Sequence, residues 1–101
     1  MKYFKLNKVT GKISKTLFPE IQKINETYVN DFRVSTVFLS INHSFEENKI
    51  PILFETMAFS PDGRQFQVRC SSLEDAKDLH ERCVQILIDH LNLDLLKQLE
   101  E

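Results

Sequence analysis

Three residues with chemically useful side chains occupy unexpected places in this sequence, namely His43, Glu55 and His80. His43 follows a long apolar run, and Glu55 lies between apolar neighbours in "ILFETMAF". His80 interrupts the apolar side of a predicted helix. Two imidazoles and one carboxylate can hold a metal ion or carry out general acid–base chemistry. The sequence therefore raises the possibility of a small-ligand site, a metal site or a minor hydrolase built from these three residues.

Each of the three also has an ordinary structural interpretation. His43 fits a plain loop residue, and His80 fits a core histidine with one hydrogen bond. Glu55 fits an ion pair with Arg33 or Arg69. No nucleophile elbow, phosphate-binding loop or zinc-protease motif accompanies them. We therefore expect no catalytic residue, no metal and no cofactor, and we keep the polar site as the alternative.

The composition is typical of one globular domain spanning residues 1–101. The chain is 42% hydrophobic and 28% charged, with a formal net charge of −2, so we expect no nucleic-acid partner. No apolar run is long enough for a signal peptide or a membrane span, which favours a cytoplasmic protein without a membrane partner. Cys70 and Cys83 lack the C-x-x-C spacing and are expected to be buried free thiols in a reducing compartment.

The charges are distributed unevenly along the chain. Residues 1–23 carry six lysines against one carboxylate, whereas residues 74–101 carry eight carboxylates against three basic side chains. Two solvated faces that attract each other weakly explain this pattern. A role of the basic N-terminal arm in binding an anionic ligand is the other interpretation.

The hydrophobic pattern predicts an α+β fold, with an antiparallel meander of about four strands and one long C-terminal helix packed on one face. Asn30-Asp31 and "SPDGR" are turn signals. The helix is predicted over 71–91, with Ser71 as its N-cap and an apolar stripe at spacings of three and four. Residues 92–101 are a possible helical tail, and residues 1–22 form an N-terminal arm.

The central strands carry apolar residues on both faces. Pairing Leu39 with Phe54 and Val37 with Thr56 directs one apolar face toward the helix. The second face then holds the remaining large apolar side chains, and its candidate binding residues are Phe38, Leu53, Met57 and Phe59. The N-terminal segment, a second copy of the chain or another partner could cover this face. An exposed apolar patch of this size is typical of an interaction site.

Residues 28–84 also resemble a family of small uncharacterised proteins encoded by tailed phages and prophages. The resemblance is carried by "YVNDFRVSTVFLSINHSF", "PILFETMAF" and "SSLEDAKDLHERCV". The matching positions include Asp31, Arg33 to Leu39, His43, the "FETM" run, Ala76 and His80. Relatives have Asp where this chain has Asn42, and a Gly-rich loop where it has "SFEENKI". The family has no assigned activity, so the resemblance implies a phage setting.

These observations favour a small phage accessory protein that acts by binding. The expected partner is a host or phage protein, or a second copy in a homodimer, and the expected location is the host bacterial cytoplasm. Modulation or inhibition of a host process such as defence fits a short phage gene, by analogy alone.

Overall fold

The computed structural model describes residues 3–43 and 50–100, so most of the loop predicted after His43 lies outside the described residues. The elements, in chain order, are β1 (Tyr3–Leu6), β2 (Ile13–Thr16), β3 (Gln22–Val29), β4 (Phe32–Phe38), β5 (Phe54–Phe59), β6 (Gln65–Cys70), α1 (Leu73–His90) and a 3₁₀ helix (Leu93–Glu100). β3 to β6 form an antiparallel sheet in chain order, and β1 and β2 form a separate hairpin. The predicted α+β class, with four meandering strands and one long C-terminal helix, is confirmed. Within the described residues, no helix has the length and apolar character needed to cross a membrane.

Both predicted turns occur where their residue types require them. Asn30 joins β3 to β4 with a φ of 52°, a left-handed conformation that asparagine tolerates better than most residues. Gly63 closes the turn between β5 and β6 with a φ of 89°, and its amide donates to the Ser60 carbonyl. These tight connections hold consecutive strands antiparallel and give the sheet its meander order.

The register between β4 and β5 differs by one residue from the predicted one. Phe38 pairs with Phe54, and Val37 pairs with Glu55. Because β strands alternate faces, this slip turns the other side of β4 toward the helix. Phe32, Val34, Thr36 and Phe38 are therefore buried. The prediction was wrong because it relied on Leu39 and Ile41, which follow the end of β4, whereas within β4 the alternate positions Arg33 and Ser35 are polar.

Helix α1 buries the predicted stripe, which consists of Leu73, Ala76, His80, Cys83 and Leu87. The N-cap is Ser72 rather than Ser71, and its hydroxyl accepts from the Asp75 amide at 3.1 Å. Leu91 was predicted to continue the stripe, but it ends the helix in a left-handed conformation with its side chain exposed. The chain then restarts as a 3₁₀ helix, whose three-residue period buries Leu93, Leu96 and Leu99.

The N-terminal hairpin packs at the end of the sheet nearest the start of α1. Leu6 is buried there, and Phe4 and Ile13 pack beside it. Their neighbours are Phe38, Leu53, Phe54, Leu73 and Ala76. The hairpin thus extends the core on the helix side of the sheet. Leu17, Phe18 and Ile21, which were candidates to cover the second sheet face, are exposed instead.

Candidate functional site

His80 belongs to a buried hydrogen-bond network between α1 and the sheet. Its Nδ1 lies 2.8 Å from the Thr36 hydroxyl, and its Nε2 lies 2.9 Å from the Thr27 hydroxyl. Thr36 also bonds the Thr56 hydroxyl at 2.7 Å. Burial lowers the pKa of His80 below its ordinary value, and the carboxylate of Glu81 opposes this shift. Both ring nitrogens therefore serve the packing of the helix on the sheet, as the core interpretation predicted, with two bonds rather than one.

Glu55 lies on the other face of the sheet from His80. Its carboxylate accepts from the Arg69 guanidinium at 3.0 Å, which confirms the predicted ion pair. His43 lies beyond the end of β4, where its backbone amide donates to the Ile52 carbonyl. The described part of the chain contains no group of three metal-ligating side chains. The structure therefore does not bring His43, Glu55 and His80 together in one site.

The two free thiols also lie in structural positions. Cys83 lies on the buried side of α1, and Cys70 is half-buried at the end of β6. Burial raises the pKa of Cys83 to about 12 and that of Cys70 to about 11. Both side chains therefore remain protonated and act as small apolar groups.

The predicted binding residues separate onto the two faces of the sheet. Phe38 and Leu53 are fully buried, with the Phe38 and Phe54 rings 5.3 Å apart, so neither residue can present an apolar surface. The prediction that Phe38 and Leu53 lie on the second face was therefore wrong. The one-residue shift in the register of β4 places Phe38 in the core, and the Leu53 side chain packs there as well. Met57 and Phe59 do lie on the face opposite the helix, where both are half-buried.

Long polar side chains cover much of that second face. The Arg33 guanidinium lies 4.4 Å from the centre of the Phe59 ring and also bonds the Glu26 carboxylate at 2.9 Å. The hydrogen bond from Arg33 is the main reason why the pKa of Glu26 is lowered. Arginine can shield apolar surface with its stem while its charged end stays in water. The face is thus partly covered from within the chain itself.

Three highly exposed apolar residues instead lie close together in the loop between β2 and β3. Leu17, Phe18 and Ile21 expose 85%, 73% and 68% of their surface, and we call these three residues the loop patch. Large apolar side chains normally contribute about 1.5–3 kcal/mol each when they are buried. Three such side chains within five positions are therefore a marked departure from the pattern of a packed chain.

Ser40 holds this loop in a fixed place relative to the sheet. Its buried hydroxyl donates to the Phe4 carbonyl at 2.7 Å and accepts from the Glu20 amide at 2.9 Å. The Gln22 side chain adds a bond to the Leu6 carbonyl at 3.0 Å. The loop patch is consequently presented on an anchored backbone.

Sequence reasoning identified Leu17, Phe18 and Ile21 as apolar and gave the N-terminal segment that carries them as one of three alternative covers of the second sheet face. One signal favoured a loop here, since "LFPEI" contains Pro19, which has no backbone N–H for a strand ladder. A segment of that kind is typical of a surface loop. Nothing in the sequence distinguishes Ser40, because its role depends on tertiary contacts with two distant segments.

No protein-family model, curated protein or solved structure matches this chain. Its function must therefore be argued from its own surfaces.

Proposed function

We propose that this protein is a small accessory protein of a tailed phage or prophage that acts by binding another protein in the host cytoplasm. Its role in this proposal is to modulate or inhibit a host process such as defence. The phage setting is supported by the resemblance of residues 28–84. Binding is supported by the loop patch.

The exposure of the loop patch is the observation on which this proposal depends. Leu17, Phe18 and Ile21 contribute nothing to the core while they remain in water, and an anchored apolar loop can fill a cleft on a partner. Burial of all three would supply roughly 5–9 kcal/mol before the costs of association are subtracted. The costs of association offset much of this amount, so the partner must add contacts of its own around the loop patch.

The polar residues support binding over catalysis. His80 uses both ring nitrogens inside the core, and Glu55 is paired with Arg69 on the opposite face. Acid–base chemistry by these side chains would require the packed helix to separate from the sheet. These contacts disfavour the alternative of a shared His–Glu–His site.

Photocrosslinking from defined positions tests the proposal. Benzoylphenylalanine is placed at position 18 or at position 9, and the tagged protein is irradiated inside the host bacterium. Val9 is a matched control, since it is 95% exposed and lies in the turn of the adjacent hairpin. We expect a discrete host or phage protein to be crosslinked from position 18 and not from position 9.

The crosslinked protein is then purified for calorimetry. We expect Phe18→Asp to weaken its binding at least tenfold, whereas Val9→Asp, which introduces the same charge, leaves the affinity unchanged. Equal affinities of Phe18→Asp and the unsubstituted protein would refute the role of the loop patch.

A further inference from the structure

A second group of exposed apolar residues lies around the C-terminal end of α1. Ile88, Leu91 and Leu95 expose between 37% and 57% of their surface, and we call them the C-terminal patch. The left-handed turn at Leu91 ends α1 at this point and redirects the chain into the 3₁₀ helix. Leu91 and Leu95 therefore remain outside the core that Leu93 and Leu96 enter.

The two patches lie at opposite ends of the molecule. The hairpin packs against the first turn of α1, because Leu6 shares a cluster with Leu73 and Ala76. The C-terminal patch lies at the other end of this 18-residue helix, which spans about 27 Å. The longest dimension of the protein is 41 Å. A single molecule therefore cannot bring its own two patches into contact.

The charges around the two patches are complementary. Lys15 and Lys23 flank the loop patch, within a segment that carries six lysines and one carboxylate, Glu20, which lies between Phe18 and Ile21. Lys23 pairs with Glu26 at 3.3 Å, which reduces this positive charge in part. The C-terminal patch lies in the segment with eight carboxylates and three basic residues, where Asp89 and Asp94 are its nearest acids. Arg64 pairs with Asp94 at 3.6 Å and reduces this negative charge only in part. The C-terminal end of α1 adds its partial negative charge.

We propose that copies of this chain associate head to tail, with the loop patch of one copy packed on the C-terminal patch of the next. This inference rests on the proposed function, because it names a second copy as a partner of the same loop. Contact between two loop patches would oppose lysines to lysines, whereas contact between the two different ends opposes lysines to carboxylates. Such a heterologous contact continues into chains unless its rotation closes a ring.

Each patch is small, which sets the expected strength of association. An interface built on three apolar residues from each side falls in the smallest class of protein contacts. We expect a dissociation constant of roughly 10 μM to 1 mM at low salt. Raising the salt to 0.5 M should weaken association, because the charges around both patches are exposed to solvent.

Analytical ultracentrifugation of two complementary variants tests the geometry. Phe18→Asp disables the loop patch and retains the C-terminal patch, while Ile88→Lys does the reverse. Both positions are exposed, so both variants should fold, and circular dichroism verifies this. We expect the unsubstituted protein and the Val9→Asp control to increase in mass with concentration up to 1 mM. Each variant alone should remain at the 11.9 kDa of one chain.

The equimolar mixture of the two variants distinguishes this arrangement from a symmetric dimer. The intact loop of Ile88→Lys can still bind the intact C-terminal patch of Phe18→Asp, so the mixture should form dimers and nothing larger. A mixture that stays monomeric, or a variant that dimerises alone, would overturn the inference. If the unsubstituted protein is monomeric while Phe18→Asp loses its crosslinked partner, head-to-tail association is wrong and the proposed function stands.

Discussion

From the hydrogen-bond network around His80 we can predict how much stability Thr36→Val removes. Valine keeps the branched shape of threonine and removes the hydroxyl that lies 2.8 Å from His80 Nδ1 and 2.7 Å from Thr56 Oγ1. Two buried polar atoms would then lose this partner at a site that is closed to water. Since each orphaned group costs about 1–3 kcal/mol, we expect the free energy of unfolding to fall by about 2–6 kcal/mol.

Urea unfolding followed by circular dichroism measures this loss. A domain of this size has about 5–15 kcal/mol of stability, so the change is a large fraction of the total. The matched control is Ser35→Ala on the half-exposed neighbour of Thr36, which should change stability by less than about 0.5 kcal/mol. In addition, Thr36→Val with Thr56→Val should cost less than the sum of the two single changes, because the second substitution removes a hydroxyl that the first has orphaned. A loss below about 1 kcal/mol for Thr36→Val would refute the assignment of His80 to a structural network.

Three further predictions follow from the buried groups. Because burial holds the pKa of His80 below that of a histidine in the unfolded chain, the unfolded state binds the extra proton first as the pH falls. The free energy of unfolding should therefore decrease as the pH drops below about 6.5. His80→Gln should make this decrease smaller in urea titrations at pH 7.5 and 5.5. Ser40→Ala removes both bonds that anchor the hairpin and the loop, so we expect the free energy of unfolding to fall by about 1–3 kcal/mol and trypsin to cleave faster after Lys15. An unchanged cleavage rate would contradict the anchoring role of Ser40. Burial raises the pKa of Cys83 to about 12, so iodoacetamide at pH 7.5 should label it only after denaturation, and rapid labelling of the folded protein would show that the helix opens readily.

The elements of the fold could be predicted because their signals are local. Asn30 fits a tight turn, Gly63 fits a positive φ, and the alternation in "QFQVRC" gives a strand without reference to any other segment. The helical stripe from Leu73 to Leu87 is equally local. Its ends were displaced by one to two residues because Ser71 and Ser72 are both acceptable caps, and only tertiary packing selects between them.

The register and the binding surface could not be predicted, since both depend on contacts between distant segments. Phe38 and Leu39 are nearly equivalent by hydrophobicity, and the choice between them is consistent with the polar network, because only the observed register aligns Thr36 with Thr56 under His80. The same limitation applied to Leu17 and Phe18. Their apolar character made them candidates for burial, and only the folded structure shows that the described residues leave them largely in solvent.

The second face of the sheet also explains where this protein exposes apolar surface. Strands with apolar residues at both parities need cover on both sides, and here α1 supplies one cover while arginine stems and ion pairs supply part of the other. A face shielded by its own side chains must lose Arg33–Glu26 and Arg69–Glu55 contacts before a partner can dock on it. The ends of the molecule carry no such cost, since Phe18 and Ile88 already stand in water. Binding at the ends is therefore favoured over binding at the sheet, although the sheet contains more apolar residues.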